Sequence, residues 1–133
     1  MNIKLSKIAS LLSLDLIGED TNIYNLAIDS REVKKGDFFV AIEGVKFDGH
    51  DFIQESISNG ACAILCNDRF DVSKINVPYI VCHDTLKSLA DLAAGYRKII
   101  GSPLTIGITG TNGKTTVTQL TTAILKQCFS VST

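Results

Sequence analysis

The sequence predicts an α/β protein: a small N-terminal α/β domain, then the first strand, loop and helix of a truncated Rossmann-like domain. Apolar segments of strand length alternate with segments whose apolar residues recur at helical spacing. A Gly-Ser-Pro break at residues 101–103 separates the two parts. A glycine-rich loop, residues 109–116, stands between an apolar segment and an amphipathic one. We therefore expect one domain over residues 1–101 and the start of another over residues 102–133.

The first elements are predicted from residue spacing. Leu5, Ile8 and Leu12 recur at helical spacing, which predicts a short opening helix. Apolar and polar residues alternate over residues 24–28, as in a half-buried strand. The β-formers of residues 38–42 predict a second strand after a turn.

A β–α–β step is predicted next. Asp51 is the expected N-cap of a helix, with Gln54 at the capping-box position and Gly60 at its end. The apolar residues 61–66 follow at once as a strand, and residues 79–82 form another.

Two longer helices complete the prediction. Asp84 or Thr85 caps the first of them, and its inner side is expected to carry Leu86, Leu89, Ala90, Ala93 and Arg97. After the break, residues 104–109 predict a strand. The helix that follows the loop is expected to face inward through Val117, Leu120, Ile124 and Leu125. Residues 129–133 have the composition of one more strand.

Composition limits the classes of function. The 133 residues carry a net charge of −1, so the bulk electrostatics favour neither nucleic acid nor an anionic membrane as a partner. No apolar segment approaches the ~20 residues needed to cross a bilayer, and the N-terminus lacks the apolar core of a signal peptide. A cytoplasmic protein is expected. We expect free, buried thiols rather than disulfides or a metal site at Cys62, Cys66, Cys82 and Cys128.

The loop at residues 109–116 has the residue types that a phosphate site needs. The backbone N–H groups of a glycine-rich loop and the positive end of the following helix supply many donors aimed at one place. Lys114 would meet the β and γ oxygens of a triphosphate, and the Thr115 hydroxyl would bind Mg²⁺. The predicted phosphate-binding residues are Gly110, Thr111, Asn112, Gly113, Lys114, Thr115 and Thr116.

The loop departs from the general phosphate-loop pattern at one position. The pattern expects a glycine five residues before Gly113, where this sequence has Ile108. A coincidental glycine turn with a helix-capping threonine is the alternative. The apolar segment before the loop and the amphipathic segment after it favour phosphate binding.

A second group of polar residues follows the predicted strands of the N-terminal domain. Ser30 and Arg31 come at the end of a strand, where side chains often face a ligand crevice, and Arg31 is suited to bind a phosphate. Asp48 and Gly49 form a turn signal, and His50 precedes a helix. An alternative fits these residues equally well: a surface Arg–Asp pair, a hairpin and a capping or packing histidine.

These stretches together resemble the Mur ligase family, the cytoplasmic enzymes that build the peptide stem of peptidoglycan. The shortened loop is similar to that family's phosphate loop, and residues 29–44 resemble its uridine-diphosphate-binding N-terminal domain. The resemblance implies ATP and Mg²⁺ as cofactors, catalytic roles for Lys114 and Thr115, and Thr115 as a Mg²⁺ ligand. It implies a site for the UDP-linked precursor made by Ser30, Arg31, Val45, Lys46, Phe47, Asp48, Gly49 and His50.

Within the family, the chain looks most like the members that add D-alanyl-D-alanine to a UDP-N-acetylmuramoyl-tripeptide (MurF type), on the segments 47–52, 84–97 and 123–128. Residues 111–112 and 118–120 are also typical of the members that add the third stem-peptide residue (MurE type), and that alternative stays open. The stretch at residues 29–31 argues against an enzyme like folylpolyglutamate synthetase. A non-catalytic module that binds a UDP-sugar is a further interpretation.

The resemblance also implies a mechanism. ATP phosphorylates the terminal carboxylate of the UDP-N-acetylmuramoyl-peptide, and the amine of D-alanyl-D-alanine attacks the acyl phosphate to form an amide. Lys114 and the loop neutralise the transferred phosphoryl group, while the N-terminal domain holds the nucleotide end. Family members are several hundred residues long. The 133 residues are therefore expected to be a truncated, monomeric portion that does not catalyse ligation alone.

Overall fold

The computed structural model describes residues 2–101 and 104–131, and the chain divides into two compact units, Met1–Ser102 and Pro103–Thr133. The helices of the described residues are α1 (Leu5–Leu12), α2 (Ile53–Asn59), α3 (Thr85–Ile99) and α4 (Lys114–Leu125). Their strands are β1 (Ile3–Lys4), β2 (Leu16–Ile17), β3 (Asn22–Ile23), β4 (Asn25–Ala27), β5 (Asp37–Val40), β6 (Ala61–Asn67) and β7 (Tyr79–Cys82). No helix in the described ranges is long and apolar enough to span a membrane.

The first unit is built around a five-stranded sheet in the order β2-β7-β6-β5-β4. β4, β5, β6 and β7 pair in parallel, and β2 joins one edge antiparallel to β7. β1 and β3 form a separate antiparallel pair. Parallel neighbours need a crossover connection, and α2 supplies the one between β5 and β6. The carboxyl ends of the four parallel strands consequently lie along one edge of the sheet.

Two apolar cores cover opposite faces of this sheet. Phe38 and Val40 of β5 belong to one core, where they join residues of α1 and α3. Phe39, which points to the other face, belongs to a second core with Ile53 of α2. Alternating residues of one strand point to opposite faces, so a strand covered on both sides is apolar throughout. The predicted α/β class is confirmed, with α1 and α3 on one face and α2 on the other.

The helix caps correct one prediction and confirm two. Asp51 does not cap α2; Asp48 instead caps a 3₁₀ helix, Gly49–Phe52, that leads directly into α2. Gln54 consequently makes no capping box, and its amide donates to the Lys74 carbonyl at 2.9 Å. Gly60 ends α2 in the left-handed conformation, as predicted. Asp84 caps α3 by accepting the Lys87 N–H at 2.9 Å.

The inner side of α3 differs from the predicted one. Leu92 is buried and Leu89 is half-buried, whereas Leu86 is exposed. Ala90, Ala93 and Arg97 are exposed as well. The helix meets α1, with Gly95 against Leu11, so its contact side is rotated from the predicted one.

The second unit lacks two predicted features. The described residues 104–109 form no strand, and the same holds for residues 129–131; residues 132–133 lie outside the described part. A strand needs a neighbouring strand for its backbone groups, and none is present among the described residues of this unit. The predicted inward face of α4 is also wrong, because Val117, Leu120 and Ile124 are exposed and Leu125 is half-buried.

Gly60→Ala should lower the free energy of unfolding by about 2–4 kcal/mol, as the sum of a left-handed backbone penalty and a steric clash. Gly60 has φ +114°, and an added Cβ would lie 2.9 Å from the Lys35 Cα. Gly101→Ala is the matched control, because Gly101 has φ +86° with no atom within 4 Å of the added Cβ. Urea denaturation of both variants measures the difference. Equal losses would show that the close approach to Lys35 costs nothing.

Candidate functional site

One cavity of the first unit joins the two groups of residues predicted to bind the precursor. It has a volume of about 460 Å³ and is lined by Ile28, Asp29, Ser30, Arg31, Phe39, Ile42, Phe47, Gly49, Phe52 and Glu55. β4 and β5 are adjacent parallel strands, so the segments that follow them leave the sheet at the same edge. Of the predicted residues, the lining includes Ser30, Arg31, Phe47 and Gly49. The same segments also carry Val45, Lys46, Asp48 and His50, which lie outside the lining.

A larger cavity of about 620 Å³ is lined by residues of α1 and α3 and by Ser13. None of the predicted site residues lines it. The smaller cavity is the candidate site, because ligand sites of open α/β sheets form outside the carboxyl ends of the strands. The predicted site did not include the other members of the lining, which are apolar or acidic: Ile28, Asp29, Phe39, Ile42, Phe52 and Glu55. Ile28 could have been included, since it is the last residue of the strand predicted over residues 24–28.

The first wall of the pocket is held by a capped turn. Asp29 accepts the Arg31 N–H at 3.0 Å and so caps the 3₁₀ helix Ser30–Glu32. The Ser30 carbonyl accepts the side-chain amide of Asn59, at the end of α2, at 2.9 Å. Ser30 is buried, and these two contacts fix its position between β4 and α2.

The Arg31 guanidinium is paired with Asp29 by two hydrogen bonds. Nε donates to Oδ1 at 2.9 Å and Nη2 donates to Oδ2 at 2.6 Å. These bonds lower the pKa of Asp29 to about 2, so its carboxylate is ionised at neutral pH and balances the arginine charge. Arg31 is 81% exposed and keeps three further N–H donors. The sequence allowed a surface Arg–Asp pair as an alternative interpretation, and this pair is present. It still leaves N–H donors of Arg31 for a ligand.

The second wall is a short hairpin that we call the rim loop, residues 43–48. Glu43 and Asp48 form an antiparallel bridge at its base. Directly below, the Gly49 N–H donates to the Ile42 carbonyl at 2.8 Å. The hairpin alternative considered from the sequence is thus also present, and it places Gly49 at the pocket wall.

The tip of the rim loop projects into solvent. The Gly44 N–H donates to the Phe47 carbonyl at 2.9 Å and closes the turn. Val45 is fully exposed, Lys46 is exposed, and Phe47 is 73% exposed although it lines the pocket. Exposed apolar side chains beside a ligand-sized cavity are typical of a binding surface.

His50 lies behind the rim loop and is only 5% exposed. The Asn67 N–H donates to its Nε2 at 2.9 Å, so Nε2 carries a lone pair and the ring proton is on Nδ1. Nδ1 is 2.5 Å from an Asp48 carboxylate oxygen, to which it donates. Burial raises the pKa of Asp48, but the backbone and ring hydrogen bonds from His50 outweigh it and lower the pKa overall. Both ring nitrogens are therefore occupied inside the protein.

The glycine-rich loop of the second unit leads into the N-terminus of α4. Gly113 is the N-cap with φ +78°, a left-handed conformation, and no atom lies within 4 Å of where a Cβ would be. Lys114, in the first turn, donates from Nζ to the Gly110 carbonyl at 2.5 Å, so its ammonium lies across the loop. The first N–H groups of a helix have no acceptor within it. The left-handed glycine, the N–H groups at the start of α4 and the lysine ammonium are thus suited to bind a phosphate group.

Metal-binding side chains do not cluster in the described ranges, where no three of His, Cys, Asp or Glu come together. The four cysteines are free, as predicted. Burial raises the pKa of Cys66 to about 11, which makes its thiol a packing group. Cys128 is exposed, contrary to the expectation of burial.

The exposed Thr115 hydroxyl, one residue into α4, is a suitable Mg²⁺ ligand only together with phosphate oxygens.

The fold and the pocket define an α/β protein with a ligand crevice at the strand ends. Residues 22–97 match the family described as "Mur ligase family, catalytic domain". The match covers more than half of the chain, includes the whole pocket lining, and does not extend to the glycine-rich loop. The chain belongs to the Mur ligase family.

Relatives of two specificities resemble the chain to the same degree. It is 37% identical over 121 residues to the UDP-N-acetylmuramoyl-tripeptide–D-alanyl-D-alanine ligase of Synechocystis sp., covering 91% of the chain and 26% of that protein. It is 38% identical over 123 residues to the UDP-N-acetylmuramoyl-L-alanyl-D-glutamate–2,6-diaminopimelate ligase of Haemophilus influenzae, covering 87% and 25%. The chain spans about a quarter of the length of these relatives.

A solved structure gives the same family. The MurF ligase of Thermotoga maritima in complex with ADP is similar with a TM-score of 0.64 and 37% identity, covering 81% of this chain and 24% of that one. The similarity supports the α/β fold described above.

Proposed function

We propose that the first unit binds the uridine-diphosphate end of a UDP-N-acetylmuramoyl-peptide in the pocket at the carboxyl ends of β4 and β5. One observation carries the proposal: Ser30 and Arg31, which follow β4, and Phe47 and Gly49, which follow β5, line the same cavity. The cavity volume of about 460 Å³ suits a nucleotide-sized ligand. The relatives named above carry UDP-N-acetylmuramoyl substrates in their names.

The chemistry of the lining suggests how the ligand is held. Phe47 and Phe52 offer apolar surface to a flat base, and backbone groups of the rim loop offer hydrogen bonds. The three remaining N–H donors of Arg31 face the diphosphate. Asp29 balances the arginine charge and Glu55 adds a negative one, so this site binds by directed donors rather than by net positive charge.

The second unit is proposed to bind the triphosphate of ATP at the loop Gly110–Thr116. Lys114 moves its ammonium from the Gly110 carbonyl to the β and γ oxygens, and the N-terminus of α4 adds N–H donors. Thr115 would supply a hydroxyl ligand to Mg²⁺, and the ion would help to neutralise the charge of the phosphates. The ADP in the structure of the Thermotoga maritima relative supports a nucleotide in this family.

The reaction proposed for the whole protein is the ATP-dependent joining of an amine to the carboxylate of the UDP-linked peptide. Phosphorylation makes the carboxylate an acyl phosphate, and the amine then displaces phosphate to form the amide. Lys114 stabilises charge on the transferred phosphoryl group, and the pocket of the first unit positions the carboxylate through the distant nucleotide. We propose that the two units described here bind the substrates and that the whole protein, a monomer, carries out the ligation in the cytoplasm. The 133 residues span about a quarter of the length of the relatives.

D-Alanyl-D-alanine is the proposed amine, on the resemblance of residues 47–52 and 123–128 to the MurF type. The relative from Haemophilus influenzae favours a 2,6-diaminopimelate acceptor as the second candidate. A ligation assay on a longer protein that includes these 133 residues, run with each amine in turn, separates the two candidate specificities. Incorporation of D-alanyl-D-alanine into UDP-N-acetylmuramoyl-tripeptide is expected. Incorporation of a single amino acid into the dipeptide precursor would select the second candidate.

Arg31→Ala should weaken binding of UDP-N-acetylmuramoyl-tripeptide by about tenfold, since hydrogen bonds from a charged group contribute about 1.5–3 kcal/mol. Two-dimensional NMR titration of the 133-residue chain measures this; the wild type should bind with a Kd in the high micromolar to millimolar range, about −4 to −6 kcal/mol. Amide shifts should cluster on residues 29–31 and 45–50. Shifts confined to residues 110–116 would contradict the proposed site.

Two further variants test the role of charge, one of them in the pocket lining and the other a control outside it. Asp29→Asn keeps an oxygen that accepts the Arg31 N–H but removes the balancing charge, so it should tighten binding of the diphosphate. Lys7→Ala removes an exposed cation of α1 and should leave binding unchanged. Equal effects of Arg31→Ala and Lys7→Ala would show that only net charge matters.

Lys114→Ala should weaken binding of Mg-ATP by about tenfold or more, because it removes the cation that meets the β and γ phosphates. Lys126→Ala, at the other end of α4, is the matched control and should bind as the wild type does. ³¹P NMR of the nucleotide measures both, and circular dichroism verifies that helix content is retained. Equal affinities of the two variants would show that the loop is not a triphosphate site.

A further inference from the structure

The rim loop is joined to the carboxyl end of β6 through a closed circuit of hydrogen bonds. The Asp48 carboxylate accepts the His50 Nδ1 proton, and His50 Nε2 accepts the N–H of Asn67, the last residue of β6. The Asn67 side chain accepts the Arg69 N–H at 3.1 Å, and the Arg69 guanidinium binds Glu43. The bridge between Glu43 and Asp48 closes the circuit.

His50 is the buried member that connects the loop to the strand. It is 5% exposed and Asn67 is 6% exposed, so water cannot replace their hydrogen bond without a rearrangement. The Glu43–Arg69 pair is more than half exposed on both sides and stabilises the loop less. Of the two side-chain connections between the rim loop and the end of β6, the one through the imidazole is therefore the buried one.

The orientation of the ring is fixed from both sides. A ring flipped by 180° would present carbon atoms to Asp48 and to Asn67, and a doubly protonated ring would lack the lone pair that the Asn67 N–H needs. Phe70 packs against the ring with centroids 5.6 Å apart. Only the neutral imidazole with its proton on Nδ1 satisfies both partners.

We propose that His50 is a positioning residue that sets where Phe47 and Gly49 stand at the pocket wall. It acts through Asp48, which lies between these two lining residues in the chain, and it ties them to the end of a central strand. The exposed tip contributes no buried anchor of its own, since Val45 is fully exposed. This inference rests on the proposed function of the pocket as the site of the uridine nucleotide.

His50→Phe and His50→Gln test the proposal. Phenylalanine fills the ring space without nitrogen atoms, whereas the glutamine amide can reach Asn67 and also donate to Asp48. We expect His50→Phe to increase the mobility of residues 45–47, measured by ¹⁵N relaxation in the ligand-free chain. We expect it to weaken binding of UDP-N-acetylmuramoyl-tripeptide about tenfold, as unpaired buried groups do.

The matched controls separate positioning from packing. His50→Gln should restore binding to within about threefold of the wild type, since it replaces the hydrogen bonds. Phe70→Leu removes the ring contact, leaves the circuit intact, and should change binding by less than about twofold. Unchanged exchange protection at Phe39 and Leu65 verifies that β5 and β6 stay folded.

Several outcomes would overturn the proposal. Wild-type binding by His50→Phe would do so, and so would an equal loss in Phe70→Leu, which would show that packing alone matters. If His50→Phe fails to fold, His50→Gln must still bind at least about fivefold more tightly than His50→Asn, whose amide is too short to reach Asn67. If the wild type binds no uridine nucleotide, the proposed function fails, and the mobility of residues 45–47 alone decides the positioning role.

Discussion

Parallel hydrogen bonding of β4, β5 and β6 is the constraint on which the rest of the first unit depends. It aligns the carboxyl ends of three strands, so the segments that follow them emerge side by side. Ser30 and Arg31 follow β4, the rim loop follows β5, and Asn67 ends β6. A shift of β5 by one residue would exchange Phe38 and Phe39 between the two cores. The same register therefore specifies the core and brings the pocket walls together.

The sequence predicted features that depend on local chemistry. The strands around Phe38 and Ile64, the left-handed stop at Gly60 and the cap at Asp84 each follow from a few neighbouring residues. The predicted start of α2 was wrong, because two aspartates in this segment are each suited to cap a helix. Asp48, followed by a glycine, forms the cap, and residues 49–52 then add a 3₁₀ turn before α2. Such a choice between adjacent caps depends on the hairpin, which is a tertiary feature.

Non-local partners explain what could not be predicted. The strand expected at residues 104–109 has the right composition, but its pairing needs another strand that the described part of that unit does not contain. The exposed faces at Val117 and Leu120 follow from the same lack of a neighbour. In the pocket, Glu55 was missed because its position depends on how α2 packs on the sheet. The partner of His50 was missed because Asn67 is distant in sequence and donates from its backbone.

Structural and functional interpretations of a residue do not exclude one another in this site. Arg31 forms the surface pair with Asp29 that residue chemistry alone suggests, yet the pair occupies only two of five N–H donors and lies at the pocket wall. His50 is the packing histidine that its position before a helix suggests, yet its two ring nitrogens connect the rim loop to β6. Pairing with Asp29 holds the guanidinium in one orientation before a ligand arrives, which reduces the entropy that binding must overcome. In the proposed site the carboxylate that orients the arginine also balances its charge, so the contact that would make recognition of a diphosphate directional would also limit the affinity for it.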